Sequence, residues 1–234
     1  ANIYRTLIAV AKKGLLIERS KPVYWSWAER TALAEAEVEY EDKVSPSIFV
    51  AFELSEEAKS KANILGKKAS LIIWTTTPWT LPSNTGISLN PNEDYILSED
   101  GYIVAKKLYN SAIELGLIKG KIINTFFAKV LENELAINPL NQKSSRIVLG
   151  EHVLMENGTG CVHTAPGHGE DDYRVGLEYN LDVVMPVNEE GKFDQTLKKL
   201  NLIPNPDDFI GRNVFKCNDD ILELLGDSLV KYTK

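Results

Sequence analysis

The sequence predicts a strand-rich α+β fold that is barrel-like and carries helical segments at its ends. Apolar segments of strand length outnumber segments with helical periodicity. No internal repeat is visible. The 234 residues are 44% hydrophobic, which is enough apolar sequence to build the core of one large domain.

The N-terminal half is predicted to begin with a helix and to continue in strands. Residues 3–13 have apolar side chains at helical spacing and stop at Gly14, a residue type common after a helix. Residues 35–42 alternate apolar side chains with acidic ones, which predicts a strand with one solvated face. Two further strands are predicted at 47–54 and 69–77, with a polar loop that contains some helix between them. A hairpin is predicted at 95–105.

The C-terminal half alternates between strands and helices. Residues 170–181 begin with acidic side chains, which favour a helix N-terminus. Residues 219–230 predict a closing helix. A short helix is predicted at 110–117, and strands at 121–131, 146–155 and 182–187.

Composition limits the partners and the compartment. The formal charge is −7, whereas proteins that hold long nucleic acid by its phosphates are usually basic, so any nucleic-acid contact should be local. No apolar run approaches the ~20 residues of a membrane span, so no membrane partner is expected. The two cysteines, Cys161 and Cys217, lie far apart in a Cys-poor chain, which indicates a reducing, cytoplasmic compartment.

Hydroxyl groups are concentrated in WTTTPWT, residues 74–80, directly after an apolar strand. Pro78 fixes its own φ and lacks an N–H donor, so strand pairing should stop near Thr77. The hydroxyls that would then line the strand end are those of Thr75, Thr76, Thr77 and Thr80. Threonine also favours strands and tryptophan favours cores, so a purely structural role fits the same run.

A second segment, GTGCVHTAPGHGEDDY at residues 158–173, contains two of the three histidines and an acidic pair. Small residues around His163 would let a ligand approach the backbone closely. Asp171 and Asp172 fall in the first turn of the predicted helix, where an acidic residue often only caps the helix. His152 lies in a strand pattern without polar neighbours and is expected to be structural.

Other chemistries fit this segment less well. The possible zinc ligands are Cys161, His163, His168 and Asp172. The two histidines are five residues apart across a Pro-Gly turn, which matches neither an HExxH helix nor a CxxC knuckle, so no metal is predicted. GTGCVH lacks the third glycine of a dinucleotide-binding loop, and a serine or cysteine nucleophile lacks both a GxSxG motif and an evident base.

Four stretches resemble the editing domain that interrupts the catalytic domain in the isoleucyl-tRNA synthetase family. They are KPVYWSWAERTALAEAEVEYEDKVSPSIFVAF, IIWTTTPWTLPSNTGISLNPNEDY, GTGCVHTAPGHGEDDYRVGLEYNL and GRNVF, and their order and spacing extend the likeness over nearly the whole chain. Valyl and leucyl relatives look like TTRP or TTTRP in the first loop, and valyl relatives carry lysine where this chain has His163. The isoleucyl family is therefore the better match.

The resemblance implies a barrel-like mixed sheet of the class I synthetase editing domain, with peripheral helices. Residues 1–34 would be a helix and connecting segment from the stem or the parent catalytic domain. Residues 35–215 would form the editing domain, and residues 216–234 a C-terminal helix leading back to the parent. The adenylation signatures HIGH and KMSKS are absent, so the chain is expected to be unable to activate isoleucine. The resemblance implies that editing needs no cofactor, with ATP and Mg required only by the parent catalytic domain.

The resemblance also implies a reaction, hydrolysis of mischarged valyl-tRNA(Ile) and of valyl-adenylate as a further candidate. The alternative is a module that binds the aminoacylated tRNA end without hydrolysing it. The implied catalytic residues are Thr76, Thr77, Thr80, His163 and Asp172. The implied substrate-binding residues are Trp74, Thr75, Trp79, Gly158, Thr159, Gly160, His168 and Asp171.

Particular roles follow from the same resemblance. Asp172 would pair with the substrate α-ammonium group, because a carboxylate only accepts hydrogen bonds. His163 would narrow the pocket against isoleucine and polarise the ester or ribose. The expected partners are the aminoacylated 3′ end of tRNA(Ile), its valine moiety and the parent catalytic domain, with the chain itself a monomer.

Overall fold

The computed structural model describes residues 2–17, 21–42 and 44–233. Within these ranges the α-helices are α1 (Asn2–Lys12), α2 (Glu56–Lys61), α3 (Tyr109–Glu114), α4 (Glu170–Tyr179), α5 (Thr196–Lys199) and α6 (Asn218–Leu225). The strands of the same ranges are β1 (Trp25–Ser26), β2 (Thr31–Ala32), β3 (Ser47–Leu54), β4 (Ser70–Thr75), β5 (Gly86–Leu89), β6 (Asp94–Ser98), β7 (Tyr102–Ala105), β8 (Ile122–Phe127), β9 (Leu135–Ile137), β10 (Ser144–Leu149), β11 (Cys161–Thr164) and β12 (Leu229–Thr233).

Ten of the described strands form one mixed sheet, and six of these ten close into a barrel. The strand order is β12-β3-β9-β10-β5-β11-β4-β7-β6-β8, and β3 also pairs with β4. That additional pairing joins the two ends of the run from β3 to β4, which makes a closed ring of six strands. Parallel pairings such as β10 with β5 occur beside antiparallel ones. The predicted barrel-like mixed sheet with peripheral helices is therefore confirmed.

The barrel interior is filled by apolar side chains from alternate positions of its strands. On β4, Leu71 and Ile73 are fully buried in the main core cluster. Ile72, between them, belongs to a second cluster that packs under α3. Because side chains alternate along a strand, Thr75 continues the inward row of Leu71 and Ile73. Its hydroxyl therefore emerges at the end of the barrel.

Most predicted elements are present. The helix at 3–13, the strand at 47–54 and the hairpin at 95–105 are confirmed by α1, β3 and the β6–β7 pair. The strand predicted at 69–77 ends at Thr75, close to the expected break. The helix predicted at 170–181 is α4, whose first turn is acidic as expected.

Two predicted elements are wrong, and a third is shorter than predicted. Residues 35–42 do not form a strand, because Glu35–Glu37 is a short 3₁₀-helix and the following residues pair with no strand among those described. Residues 182–187 form only an isolated bridge between Val187 and Phe193. The closing helix stops at Leu225, before Gly226 with φ +49°, and the chain continues as β12, which pairs antiparallel with β3.

The N-terminal segment lies largely on the surface. Helix α1 has no buried residue. The β1–β2 ribbon is attached through Trp25, whose Nε1 donates to the backbone oxygen of Glu189 at 2.9 Å. The division of the chain at residues 34 and 215 stays a prediction. None of the helices in the described ranges has the length and apolar character needed to cross a membrane.

Candidate active site

The hydroxyl-rich segment leaves the barrel at the end of β4. Pro78 begins a 3₁₀-helix, Pro78–Ser83, whose N-cap residue is Thr77. The Thr77 backbone N–H donates to Thr75 Oγ1 at 3.1 Å. Thr77 Oγ1 lies 3.2 Å from both Thr75 Oγ1 and Thr80 Oγ1. Three of the four hydroxyls thus form a connected row at the mouth of the barrel.

His163, on the neighbouring strand β11, is buried and forms a hydrogen bond with the row of threonine hydroxyls. Its side chain is 6% exposed, and both ring nitrogens have partners. Nε2 lies 3.0 Å from Thr80 Oγ1, and Nδ1 lies 2.8 Å from Asn84 Nδ2. The same Asn84 nitrogen donates to the Gly86 oxygen at 2.8 Å, and its amide oxygen accepts from the Ser145 hydroxyl.

These contacts determine the tautomer of His163. An amide nitrogen only donates hydrogen bonds, so Nδ1 accepts from Asn84 and the ring proton resides on Nε2. Nε2–H then donates to Thr80 Oγ1. Burial, and secondarily the nearby His168, lowers the pKa of His163 to about 3, so the ring is neutral near pH 7. Neither nitrogen is left to polarise an ester directly, and the ring acts through Thr80 and through its volume.

Asp172 approaches from the first turn of α4. Its Oδ2 accepts the Ala165 backbone N–H at 3.0 Å. Burial raises the pKa of the Asp172 carboxyl from its usual range, and the Ala165 hydrogen bond opposes that rise. Gly169 makes room for the carboxylate, since a Cβ at position 169 would lie 3.0 Å from Asp172 Cγ. A partly desolvated carboxylate interacts more strongly with a cationic group than an exposed one does.

Both segments line one cavity of about 320 Å³. This volume is within the range of small-ligand sites. From the first segment it is lined by Trp74, Thr75, Thr76, Thr77, Trp79 and Thr80. From the second segment it is lined by Val162, His163, Ala165, His168, Gly169 and Asp172. Two stretches that are more than 80 residues apart in sequence therefore face the same hollow.

Four predicted site residues lie outside this cavity. Asp171 is exposed and pairs with Arg174 at 3.5 Å. Thr159 and Gly160 line an adjacent cavity of about 200 Å³ that shares Trp74 with the first.

Gly158 lines neither cavity and packs against the Trp74 ring. A Cβ at position 158 would lie 2.7 Å from Trp74 Cε3, and its φ of +77° also favours glycine. The expected structural histidine, His152, lines the smaller cavity. Among the residues that the structure describes, no group of three or more His, Cys, Asp or Glu side chains is arranged to hold a metal ion.

Comparison with known proteins identifies the family. Residues 54–223 match the family model described as leucyl-tRNA synthetase, editing domain. The chain belongs to this editing-domain family. The predicted resemblance to a synthetase editing domain is thereby confirmed.

The editing domain is similar along its whole length to isoleucine–tRNA ligases. It is 68% identical over 234 residues to the enzyme of Sulfurimonas denitrificans and 63% identical over 231 residues to that of a Nitratiruptor species. These alignments cover 100% and 99% of this chain but 25% of each relative. The chain thus spans about a quarter of the length of the curated relatives it matches.

Solved editing domains share the fold. A crystal structure described as GlLeuRS-CP1 superposes with a TM-score of 0.60 at 17% identity, covering 80% of this chain and 99% of that one. The Plasmodium knowlesi cytosolic leucyl-tRNA synthetase editing domain gives a TM-score of 0.57 at 13% identity, with coverage of 83% and 98%. The barrel is therefore that of the synthetase editing domains.

Sequence reasoning overlooked two residues that organise the site of this editing domain. Asn84 orients His163, as described above, and Ser83 Oγ lies 2.9 Å from Nε2 of His168. Both residues follow the threonine run directly, at the end of the same motif. Their position close to the threonines was the one feature of the sequence that could have indicated a role in the site. The contacts themselves join positions about 80 residues apart and are visible only in the fold.

Proposed function

We propose that this domain hydrolyses the ester of valyl-tRNA(Ile), a proofreading reaction. The observation that carries the proposal is the single cavity faced by threonine hydroxyls and by the Asp172 carboxylate, in a chain of an editing-domain family. The similarity to isoleucine–tRNA ligases supports tRNA(Ile) as the RNA partner. The parent enzyme would then be an isoleucine–tRNA ligase of the cytoplasm.

Valine is the natural target because a synthetic site built for isoleucine cannot exclude a smaller amino acid sterically. One methylene in an apolar pocket is worth about 1–3 kcal/mol, a limit for which isoleucyl-tRNA synthetase is itself the usual illustration, so the figure is not worked from this structure. A second pocket that admits valine and rejects isoleucine by steric overlap corrects the error. Valyl-adenylate carries the same valyl group and is a second candidate substrate.

Asp172 would hold the substrate through its α-ammonium group. The carboxylate accepts hydrogen bonds only, and the ammonium supplies three donors. The Ala165 N–H fixes Oδ2, so the carboxylate is oriented before the substrate arrives. This pairing keeps the amino acid in one pose within the cavity, which is the requirement for attack by a positioned water.

Thr77 and Thr76 would contact the reacting ester, while Thr80 positions Thr77. The Thr80 hydroxyl donates its proton to the Thr77 backbone oxygen at 2.8 Å and accepts a hydrogen bond from His163 Nε2–H, so it has no proton left for a substrate oxygen. Thr77 Oγ1 has only the longer 3.2 Å contacts and can turn its proton to a substrate oxygen. Thr76 is exposed where it lines the cavity.

The reaction requires no nucleophilic side chain. A water oxygen attacks the ester carbonyl carbon, and the bond from that carbon to the ribose oxygen breaks. The ribose oxygen takes up a proton, and the water proton is released as the acid forms. Because an aminoacyl ester is already activated, placing the water and stabilising the oxyanion by hydrogen-bond donors suffices.

The neutral ring of His163 would form the wall that turns isoleucine away. Its two hydrogen bonds, to Thr80 and Asn84, hold the ring in one position in the buried end of the cavity. A wall that cannot move raises the cost of an extra methylene, because a packed site accommodates additional atoms poorly.

The proposal is tested by a deacylation time course with valyl- and isoleucyl-tRNA(Ile). The chain should release valine and leave the isoleucyl ester intact. Asp172→Asn keeps the side-chain shape but loses the charge, and it should slow release about 30-fold or more. Asp171→Asn, a matched change on the exposed neighbour, should leave the rate unchanged. Binding of the aminoacylated end without any release of valine would instead support the non-hydrolytic binding module.

A further inference from the structure

A row of aromatic rings leads from the cavity to the protein surface. His168 lines the cavity and packs edge-on against Trp79, with ring centroids 5.1 Å apart and an interplanar angle of 88°. Trp79 in turn packs edge-on against Phe215, at 5.9 Å and 74°. Phe215 lies outside the cavity lining and is 52% exposed. An aromatic surface therefore begins where the cavity ends.

The exposure of Phe215 is built into a rigid turn. Phe215 belongs to a 3₁₀-helix, Val214–Cys217, and the Asn213 side chain caps this helix by accepting the Phe215 N–H at 3.1 Å. Val214 and Cys217 anchor the turn in the core, at 2% and 0% exposure. The turn is part of GRNVF, a stretch that carried the family resemblance but has no part in the hydrolysis proposed above.

The next residue of the same turn, Lys216, carries a positive charge. Lys216 is exposed, and none of the ion pairs between described residues involves it. The Lys216 backbone oxygen accepts a hydrogen bond from Arg212, which keeps the turn in place. In a chain with a formal charge of −7, an exposed aromatic ring next to an unpaired lysine suits single-stranded nucleic acid. Such sites stack bases on aromatic rings and neutralise phosphates with nearby cations.

We propose that Phe215 and Lys216 hold the nucleotide that immediately precedes the terminal adenosine of the RNA. Its base stacks on Phe215, and its phosphate pairs with Lys216. This inference rests on the proposed function, because a terminal aminoacylated adenosine in the cavity is what brings the preceding nucleotide to the rim. The aromatic row from His168 through Trp79 to Phe215 marks the exit path of the strand.

The test compares two esters that differ only beyond the terminal adenosine. One is a valylated RNA minihelix with a full CCA end, and the other is the valyl ester of adenosine alone. Phe215→Ala should raise KM for the minihelix about 5- to 150-fold and leave kcat unchanged, since stacking of one base supplies that factor. The adenosine ester should be hydrolysed with wild-type KM. Phe215→Tyr, which keeps the ring, should restore the minihelix KM.

Two further variants sharpen the result. Phe127→Ala removes a ring of similar exposure, 40%, that lies on β8 and outside the cavity lining, and it should change neither substrate. Lys216→Gln should reduce the slope of log KM against log salt for the minihelix by about 0.7, the contribution of one single-strand phosphate contact.

Three outcomes decide the inference. A Phe215→Ala protein with wild-type KM on the minihelix overturns it. Equal losses on both esters also overturn it, since the ring would then merely support Trp79. If the unmodified chain hydrolyses neither ester, the proposed function fails. The inference is then tested by measuring the affinity of the wild-type protein and of Phe215→Ala for an uncharged CCA-ended RNA at low salt. Weakened binding of that RNA by Phe215→Ala supports the inference, and unchanged binding rejects it.

Discussion

The neutrality of His163 can be tested by replacing it with glutamine and measuring stability against pH. The glutamine carbonyl oxygen can accept from Asn84 Nδ2, and its amide can donate to Thr80 Oγ1. His163→Gln therefore removes a titrating group while leaving both hydrogen bonds possible. Any change in the pH dependence of unfolding then reports on the imidazole alone.

The magnitude follows from the shifted pKa. Burial lowers the pKa of His163 from 6.5 to about 3, so the unfolded chain binds a proton in a pH range where the folded chain does not. The free energy of unfolding therefore falls as the pH decreases from about 6.5 towards 3. Between pH 6 and pH 4 the slope from this residue is about 1.0–1.3 kcal/mol per pH unit. From pH 7 to pH 4.5 the loss amounts to about 2.5 kcal/mol.

The assay is urea unfolding of both proteins at several pH values from 7 to 4.5, followed by tryptophan fluorescence. His168, whose pKa burial lowers to about 4, is present in both proteins, so its contribution cancels in the difference. The wild-type protein should lose about 2.5 kcal/mol more than His163→Gln over this range. Equal pH slopes would show that His163 titrates normally in the folded state, and the neutral-wall reasoning would be refuted.

Three further predictions concern the same cavity. Gly169→Ala places a Cβ 3.0 Å from Asp172 Cγ, so the carboxylate must shift by a few tenths of an ångström. The kcat/KM for the valyl ester should fall, by less than the ~100-fold that a ~1 Å misplacement costs, and unchanged kinetics would contradict the role of Asp172. Thr80→Val leaves the buried Nε2–H of His163 without its acceptor and should cost about 1–3 kcal/mol in urea unfolding, whereas wild-type stability would argue against the assigned tautomer. Addition of EDTA should not change the deacylation rate, and a loss that zinc restores would favour a metal-dependent hydrolase.

The fold was predictable where a segment carries its own signal. Strands such as 47–54 and 69–77 are continuous apolar runs buried in the barrel, so composition alone identifies them. The failures at 35–42 and 182–187 concern exposed or half-exposed segments, in which alternation of side chains forms a strand only if a pairing partner lies alongside. Strand β12 was missed although it does have a pairing partner. That partner, β3, is nearly 180 residues earlier in the chain, so the local sequence does not indicate the pairing.

The segments that form the candidate site were predictable from their composition, but the side-chain orientations and hydrogen bonds within the site were not. Density of hydroxyls and of small residues identified the two segments that face the cavity. Helix phase separates Asp172, which lines the cavity, from the exposed Asp171 one residue earlier, because successive helical side chains point about 100° apart. Asn84 acts through the Nδ1 of His163, and a contact between residues 79 apart leaves no local pattern.

The central claim is most directly tested by a structure of the chain with a non-hydrolysable valyl-adenosine analogue. The account predicts the valyl group in the 320 Å³ cavity, its ammonium within hydrogen-bond distance of Asp172, and its carbonyl beside the Thr77 hydroxyl. An analogue bound outside this cavity, or one seated in it with the ammonium remote from Asp172, would contradict the account.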